Sequence, residues 1–464
     1  MNKLKLLNRY SAAITFLAFE FFALIAFSYS GSFVLFGSLS LALCVLLILF
    51  NIGEIKAKGL SNVALFFIPL FIFTLLTAVG NYNLFYVMNN NYKYFTWGET
   101  VFIILGLLPM AFNGYLLSID RNFKLKTFIV VIFSALAVYV LINFVYNLIN
   151  FGAFYPVFYK NFYLYYNGIK SEVAVNEMAY VLEGFKFIEV KMSHYVLYPL
   201  LLLSSSVMLL FTSPKKEKGY FFTFLAFTIL AIFALTFIPS LLSLTGLGVI
   251  AVLVLIIYLG KTYVKTRKAF KIILIALVTL FLLGYLFYVI VVSTGISNSF
   301  TGFLKRLFVE NRFSKLINPN LEGIFSSSKF LGFAGWEVNY WPYFELSYPT
   351  GFFIFDTFMT SGVIGALAIF IFIFLGFNSF KKYFHSHKDE FRLQATLLLF
   401  LIVFVGYSAF FNEVDYALYY RVVRPLYLTA PFSIMIFMFS YVICKSRADE
   451  VKVVEEKKEE VTNA

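Results

Sequence analysis

Apolar residues are arranged along this chain in long runs that short polar segments separate. Each run is close to the roughly 20 residues that an α-helix needs to cross the hydrocarbon core of a bilayer, and the pattern predicts about twelve such helices. The predicted spans lie near 11–28, 31–52, 60–80, 98–118, 127–149, 194–212, 220–238, 241–259, 272–294, 351–379, 393–411 and 425–444. The predicted fold class is therefore all-α, a polytopic integral membrane helix bundle.

The composition agrees with a chain that lies largely inside a membrane. Hydrophobic residues make up 61% of the 464 residues and charged residues 13%, whereas a soluble domain has about 45–50% and about 25%. No stretch is left over that could form the surface of a soluble domain, so we predict a single membrane domain over 1–444. The segment 445–464 is charged, has no apolar face and is predicted to be a disordered cytoplasmic tail.

Basic residues in the loops predict the orientation of the helices. GEIKAKG, DRNFKLK, PKKEKG, KTYVKTRKAFK and KKYFHSHKDEFR stand in alternate connections, and these connections together with the two ends hold most of the 37 Lys and Arg residues. Because such residues are retained on the cytoplasmic side, we predict an even number of spans with both termini in the cytoplasm. The basic residues of these loops set the orientation of the helices and contact anionic lipid headgroups, which explains the net charge of +13. Nucleic acid is therefore not a predicted partner.

Two of the predicted external connections are long, 150–193 and 295–350, and both are rich in Tyr and Phe. Aromatic rings at this level either anchor a protein among the lipid headgroups or stack on the faces of sugars. The larger loop, 295–350, is expected to contain short amphipathic helices.

Basic residues on the predicted external side need a separate explanation, because the charge rule works against them. They are Lys305, Arg306, Arg312, Lys315 and Lys329 in the second loop and Arg421 and Arg424 in the last external turn. An arginine fork binds phosphate in a bidentate manner, so a lipid-linked pyrophosphate at the outer face would suit this set. The alternatives are that these side chains extend to the lipid headgroups, or that they form ion pairs with nearby carboxylates, namely Glu310, Glu322, Glu413 and Asp415.

Two titratable side chains near the predicted external face are candidates for acid–base chemistry. His194 stands where the first long loop enters a helix, and a histidine there either acts as a base near neutral pH or only forms hydrogen bonds. Asp356 follows the second long loop inside the apolar run GFFIFDTFMTSGVIG, and a carboxylate within a span is a functional candidate. His385 and His387 lack a third ligand nearby, and no metal site is predicted.

Three stretches carry a family resemblance. They are KMSHYVLYPLLLLSSSVMLL, SLLSLTGLGVIAVLVL, and the segment from NRFSKLINPNLEGIFSSSKFLGFAGWEV to SYPTGFFIFDTFMTSGVIGALAIFIFIF. In the third, an arginine precedes a Gly-x-Gly-like turn and the next helix carries a Gly-x-x-Gly pair; these residues are Arg312, Gly332, Gly335, Gly362 and Gly365. From about 190 to about 380, the chain resembles the superfamily of bacterial O-antigen polymerases and O-antigen ligases.

The resemblance implies a membrane glycosyltransferase of the bacterial inner membrane that acts at the periplasmic face. Such a polymerase transfers a growing glycan from undecaprenyl pyrophosphate to the next lipid-linked repeat unit, without metal or other cofactor. Arg312 would hold the leaving pyrophosphate, and His194 or Asp356 would activate the acceptor hydroxyl. Further pyrophosphate contacts would come from Arg306, Lys315, Arg421 and Arg424. Membrane lipid, a chain-length regulator and a flippase are the implied partners.

Other functions remain open from the sequence. The ligase branch usually has a His-Asn pair where residues 349–352 read Pro-Thr-Gly-Phe, and an arginine where this chain has Leu244, so these residues favour the polymerase. A lipid-linked oligosaccharide flippase has a similar length and helix count, but it would show a repeat between its halves, and we find none. A structural membrane protein is the remaining alternative.

Overall fold

The structure is a computed structural model. It describes residues 30–58, 61–88, 103–120, 123, 125–151, 198–206, 218–237, 330–335, 353–386, 416–417, 422–423 and 432–446. The predicted spans near 11–28, 241–259, 272–294 and 393–411, most of both long loops and the tail lie outside the described residues.

The described helices follow the apolar runs of the sequence. They are α1 (Ser30–Lys58), α2 (Ser61–Met88), a π-helix (Ile103–Leu107) that leads into α3 (Leu108–Ile119), α4 (Leu125–Phe151), α5 (198–206), α6 (Lys218–Phe237), a 3₁₀ turn (Gly332–Gly335), α7 (Phe353–Ser386) and α8 (432–446). Two strands of two residues each, β1 (Tyr416–Ala417) and β2 (Val422–Val423), pair in antiparallel register. Apart from this pair of two-residue strands, the part of the chain that the structure describes is helical, in agreement with the predicted all-α class.

Three of the described helices contain apolar segments long enough to cross a membrane, at Leu35–Lys56, Phe66–Asn83 and Thr360–Phe380. Shorter apolar segments occupy Ile104–Ile119, Phe128–Ile142, Phe221–Leu235 and Phe432–Ser446. On α1, α2, α4, α6 and α7, large apolar side chains are also exposed along the outer face, which suits contact with lipid chains. The described part of the chain is thus a bundle of apolar helices with the lengths and surfaces of a helical membrane protein.

Helix α8 lies at the centre of the described bundle, with nearly all of its side chains buried. Phe439 packs among phenyl rings of α7, and its ring centre is 5.1 Å from that of Phe377. On another side of α8, Phe437 stacks on Phe128 of α4 at a centroid distance of 4.4 Å. Gly114 of α3 allows a close approach, since a Cβ there would lie 2.6 Å from the Phe437 carbonyl oxygen. The helix predicted as the last span therefore joins α3, α4 and α7.

Polar groups join α1 to the π-helix and α3. The Ser40 hydroxyl donates to the Gly106 carbonyl oxygen at 3.3 Å, and the Asn113 amide donates to the Ser40 carbonyl oxygen at 3.2 Å. A second contact lies near the end of α1, where the helix kinks at Asn51 and the amide nitrogen of Asn51 is 3.5 Å from Oδ2 of Asp120. These buried bonds fix α1 against α3 because unpaired polar groups are costly in an apolar interior.

Helices α2 and α7 are in extensive contact, and the turn Gly332–Gly335 packs against both. This arrangement brings a turn within the predicted external loop 295–350 to the helix that follows that loop. The candidate site is built around this three-way contact.

Candidate functional site

Helix α7 is interrupted at Gly362. The backbone of this residue has φ 64° and ψ −167°, a conformation that essentially only glycine adopts because a Cβ atom would clash with the neighbouring carbonyl groups. The interruption divides α7 into a short first part, 353–361, and a long second part, 363–386. Asp356 lies on the first part, so its backbone direction is set at Gly362.

The interruption is filled by the backbone of the turn segment 330–335. Ile364 is in the first turn of the second part, where backbone N–H groups lack helical acceptors, and its nitrogen donates to the Phe330 carbonyl oxygen at 3.2 Å. A Cβ at Gly362 would overlap that same oxygen and the nitrogen of Leu331. The turn is closed by a bond of 3.2 Å from the Ala334 nitrogen to the Leu331 carbonyl oxygen. Glycine is therefore required at 362 for its conformation and for its lack of a side chain.

Helix α2 approaches the same point through Gly80. A Cβ at Gly80 would overlap the carbonyl oxygen of Thr360, two residues before the interruption. Leu76, one turn earlier on α2, lies near Gly365, one turn later on α7. The two helices are thus in backbone contact at the level of the interruption, in the manner that small residues permit between membrane helices.

The facing surfaces of α2 and α7 carry short polar side chains that are fully buried. They are Thr74, Thr77 and Asn81 on α2 and Thr357, Thr360 and Ser361 on α7. Several are satisfied within their own helix: the Thr74 hydroxyl donates to the Leu70 carbonyl oxygen at 2.9 Å, and the Ser361 hydroxyl donates to the Thr357 carbonyl oxygen at 2.8 Å. Such bonds let polar residues line an apolar interface at little cost.

Thr77 differs from its neighbours in this surface. Its carbonyl oxygen accepts a bond of 2.8 Å from the Asn81 amide, but its buried hydroxyl oxygen has no hydrogen-bond partner among the described residues. The register set by Gly80 against Thr360 and Leu76 against Gly365 places Thr77 on the turn of α2 that faces the interruption. Sequence reasoning did not single out Thr77, Gly80 or Thr360. The signal that could have identified them is the group of small and polar residues in TLLTAVGN, at the end of a run of Phe, Leu and Ile.

The structure brings together some of the residues that the sequence singled out. Gly332 and Gly335 bound the turn as expected, Gly362 is the interruption itself, and Gly365 follows it by one turn. Asp356 is on the described backbone of α7. The other predicted site residues, which are His194, Arg306, Arg312, Lys315, Arg421 and Arg424, lie outside the described residues.

Two of the arginines predicted to lie on the external side flank a described element. Arg421 directly precedes β2 in the sequence and Arg424 directly follows it. In the strand pair, Tyr416 lies opposite Val423 and Ala417 opposite Val422. In the described part of the chain, no group of three or more His, Cys, Asp or Glu side chains is placed to bind a metal ion.

Comparisons of the chain with protein-family models, with curated proteins and with solved structures find no match. The resemblance to O-antigen polymerases and ligases accordingly rests on the residues of this sequence.

Proposed function

We propose that the protein is a polymerase of lipid-linked oligosaccharide repeat units, of the O-antigen or capsule type, that acts at the periplasmic face of the bacterial inner membrane. One observation carries most of the argument: Phe330, within the loop 295–350, accepts a hydrogen bond from the helix that bears Asp356. The helix with this carboxylate is therefore in contact with the loop whose sequence also contains Arg306, Arg312 and Lys315.

The proposed reaction makes two demands on such a site. The acceptor hydroxyl attacks the anomeric carbon of the donor, the bond from that carbon to the pyrophosphate oxygen breaks, and the hydroxyl proton passes to a base. Arg312 holds the departing pyrophosphate through a bidentate fork, aided by Arg306, Lys315, Arg421 and Arg424. His194 or Asp356 receives the proton.

The membrane environment supports the same proposal. The substrate carrier is a long polyprenyl lipid, which can reach a protein site only through the bilayer, and the described helices expose apolar faces along their length. Twelve spans with both termini in the cytoplasm would place the loops 150–193 and 295–350 on the periplasmic side, where the finished glycan is assembled. A chain-length regulator and a flippase are the expected protein partners.

Deletion of the gene in its host is the decisive experiment. Surface polysaccharide and lipid-linked intermediates are separated on gels before and after complementation with the full-length gene. A glycan reduced to single repeat units supports the polymerase. Long chains that remain on the lipid carrier would identify a ligase instead, units trapped on the cytoplasmic leaflet would identify a flippase, and an unchanged glycan would contradict all three.

A further inference from the structure

We propose that Gly362 is a positioning residue for the reaction described above, an inference that rests on the proposed function. Its backbone sets the direction of the short helix 353–361 that carries Asp356. The hydrogen bond from Ile364 to Phe330 holds the turn segment 330–335, which belongs to the predicted external loop, beside the same residue.

The conformation of Gly362 is determined by contacts on two sides. The backbone of Phe330 and Leu331 occupies the space where a side chain would stand, and Gly80 of α2 leaves room for the carbonyl of Thr360 just before the interruption. An alanine at 362 would have to leave the conformation with φ 64°, and its Cβ would also push against the turn segment. The first part of α7 would then take a new direction.

The distance from Gly362 to Asp356 makes a small change of direction important. Six residues of helix correspond to roughly 9 Å at about 1.5 Å per residue. A change of about 20°, the size of a recognisable helix kink, would move Asp356 by about 3 Å. Since a misplacement of about 1 Å can reduce a reaction rate by about 100-fold, this change is enough to abolish polymerisation without unfolding the protein.

The second part of α7 is held by other contacts. Gly376 lies against the ring of Phe439, and that ring is also 6.0 Å from each of the rings of Phe372 and Phe380. None of these contacts involves the first part of the helix. A substitution at Gly362 is therefore expected to redirect 353–361 and to leave 363–386 in place.

Distances between spin labels in the purified full-length protein, reconstituted in lipid nanodiscs, test this inference. Cys44 and Cys444, which are both buried, are first replaced by alanine so that labels attach only at chosen positions. One pair of labels is attached at position 356 of α7 and at position 149 of α4, where Ile149 is 75% exposed. The other pair joins Phe374 of α7 to Leu49 of α1, both about two-thirds exposed.

Gly362→Ala is expected to shift or broaden the 149–356 distance distribution by about 3 Å and to leave the 49–374 distribution unchanged. Gly219→Ala on α6 is the matched control, because nothing lies within 4 Å of a Cβ at that position. In cells, with native residues at the label positions, Gly362→Ala should reduce glycan longer than one repeat unit by about 100-fold, while Gly219→Ala should have no effect.

The inference is overturned if the 149–356 distribution is the same in Gly362→Ala and Gly219→Ala. It is also overturned if this distribution shifts while glycan chains stay long in a host where gene deletion shortens them. Should Gly362→Ala be lost from the membrane, Gly80→Ala is measured instead, because its Cβ would overlap the Thr360 carbonyl while residue 362 remains glycine. A shift of the 149–356 distribution is then expected, and an unchanged distribution overturns the inference. If deletion of the gene has no effect on the glycan, the proposed function is rejected, and so is the role of Gly362 in polymerisation. The distance measurement then still decides whether Gly362 sets the direction of 353–361.

Discussion

The backbone nitrogen of Ile364 donates a hydrogen bond of 3.2 Å to the carbonyl oxygen of Phe330, across a helix interruption and between residues that are far apart in the sequence. A helix interruption exposes backbone groups that lipid cannot satisfy, so another segment of the protein has to supply their partners. Here the partner is Phe330, which belongs to the loop that also contains Arg306, Arg312 and Lys315. The bond thus links a requirement of membrane folding to the placement of a candidate site.

Replacing Arg312 or Arg421 by alanine should abolish long glycan chains while the amount of protein in the membrane stays normal, because the pyrophosphate would lose a charged partner in the transition state. Arg312→Lys should restore little activity, since an ammonium group cannot form the bidentate fork. The measurement is the gel pattern of surface glycan beside an immunoblot of membranes.

The matched control for these variants is Lys56→Ala, which removes an exposed basic side chain near the end of α1 on the predicted cytoplasmic side. It should leave chain length unchanged. Normal polymerisation in both Arg312→Ala and Arg421→Ala would contradict the assignment of a pyrophosphate-binding role to these residues.

Gly114→Val should destabilise the bundle, because its side chain would meet the Phe437 carbonyl oxygen at 2.6 Å and the Ser440 Cβ at 3.0 Å. Overpacking of this kind costs typically about 1–3 kcal/mol, and the midpoint of thermal unfolding in detergent should fall. Gly53→Ala on α1 has nothing within 4 Å of its new Cβ and is expected to be neutral or slightly stabilising. Equal midpoints for the two variants would show that α3 and α8 are not in backbone contact.

Phe439→Ala should cost about 3–5 kcal/mol, the usual loss when a fully buried phenylalanine is truncated. The ring of Phe439 is completely buried and packs against three phenyl rings of α7. Phe222→Ala removes the same number of atoms from a side chain that is 62% exposed on α6, and it should have a much smaller effect on the unfolding midpoint. A lower unfolding midpoint for Phe222→Ala than for Phe439→Ala would show that α8 is not packed inside the bundle.

Single cysteines should report the predicted orientation in a background without Cys44 and Cys444. A cysteine at Lys56 is expected to react with a membrane-impermeant maleimide only after the inner membrane is permeabilised, because the connection after α1 carries a basic cluster. A cysteine at Tyr340, in the loop 295–350, is expected to react in cells whose inner membrane is intact. Labelling in the opposite order would invert the topology and place the candidate site on the cytoplasmic side.

Apolar periodicity was enough to predict the positions of α2 and α7, because each lies in a run of the length that a bilayer demands. The interruption of α7 was beyond such reasoning. Gly362, Gly365 and Gly376 all stand in one apolar run, and only the first has a non-helical backbone. The difference arises from the approach of Phe330, a residue outside the helix, and local sequence carries no information about that approach.

The same limit applies to the polar residues of the candidate site. Asp356 was visible in the sequence because a carboxylate in an apolar run is costly and therefore conspicuous. Thr77 and Thr360 were not, because threonine is tolerated in membrane helices and becomes informative only when a facing helix encloses it. Their burial on the surfaces that α2 and α7 share is a property of the assembled pair.

The central place of α8 has a consequence for the way in which the protein is made. Phe73, Gly114 and Phe128 find their partners Phe432 and Phe437 only across about 300 residues of sequence. At about 5–20 residues per second, a ribosome needs roughly 15–60 s to synthesise that stretch. During this interval the early helices are inserted but lack the helix that joins them, so proteases of membrane quality control can act on nascent chains that carry no defect in their own sequence.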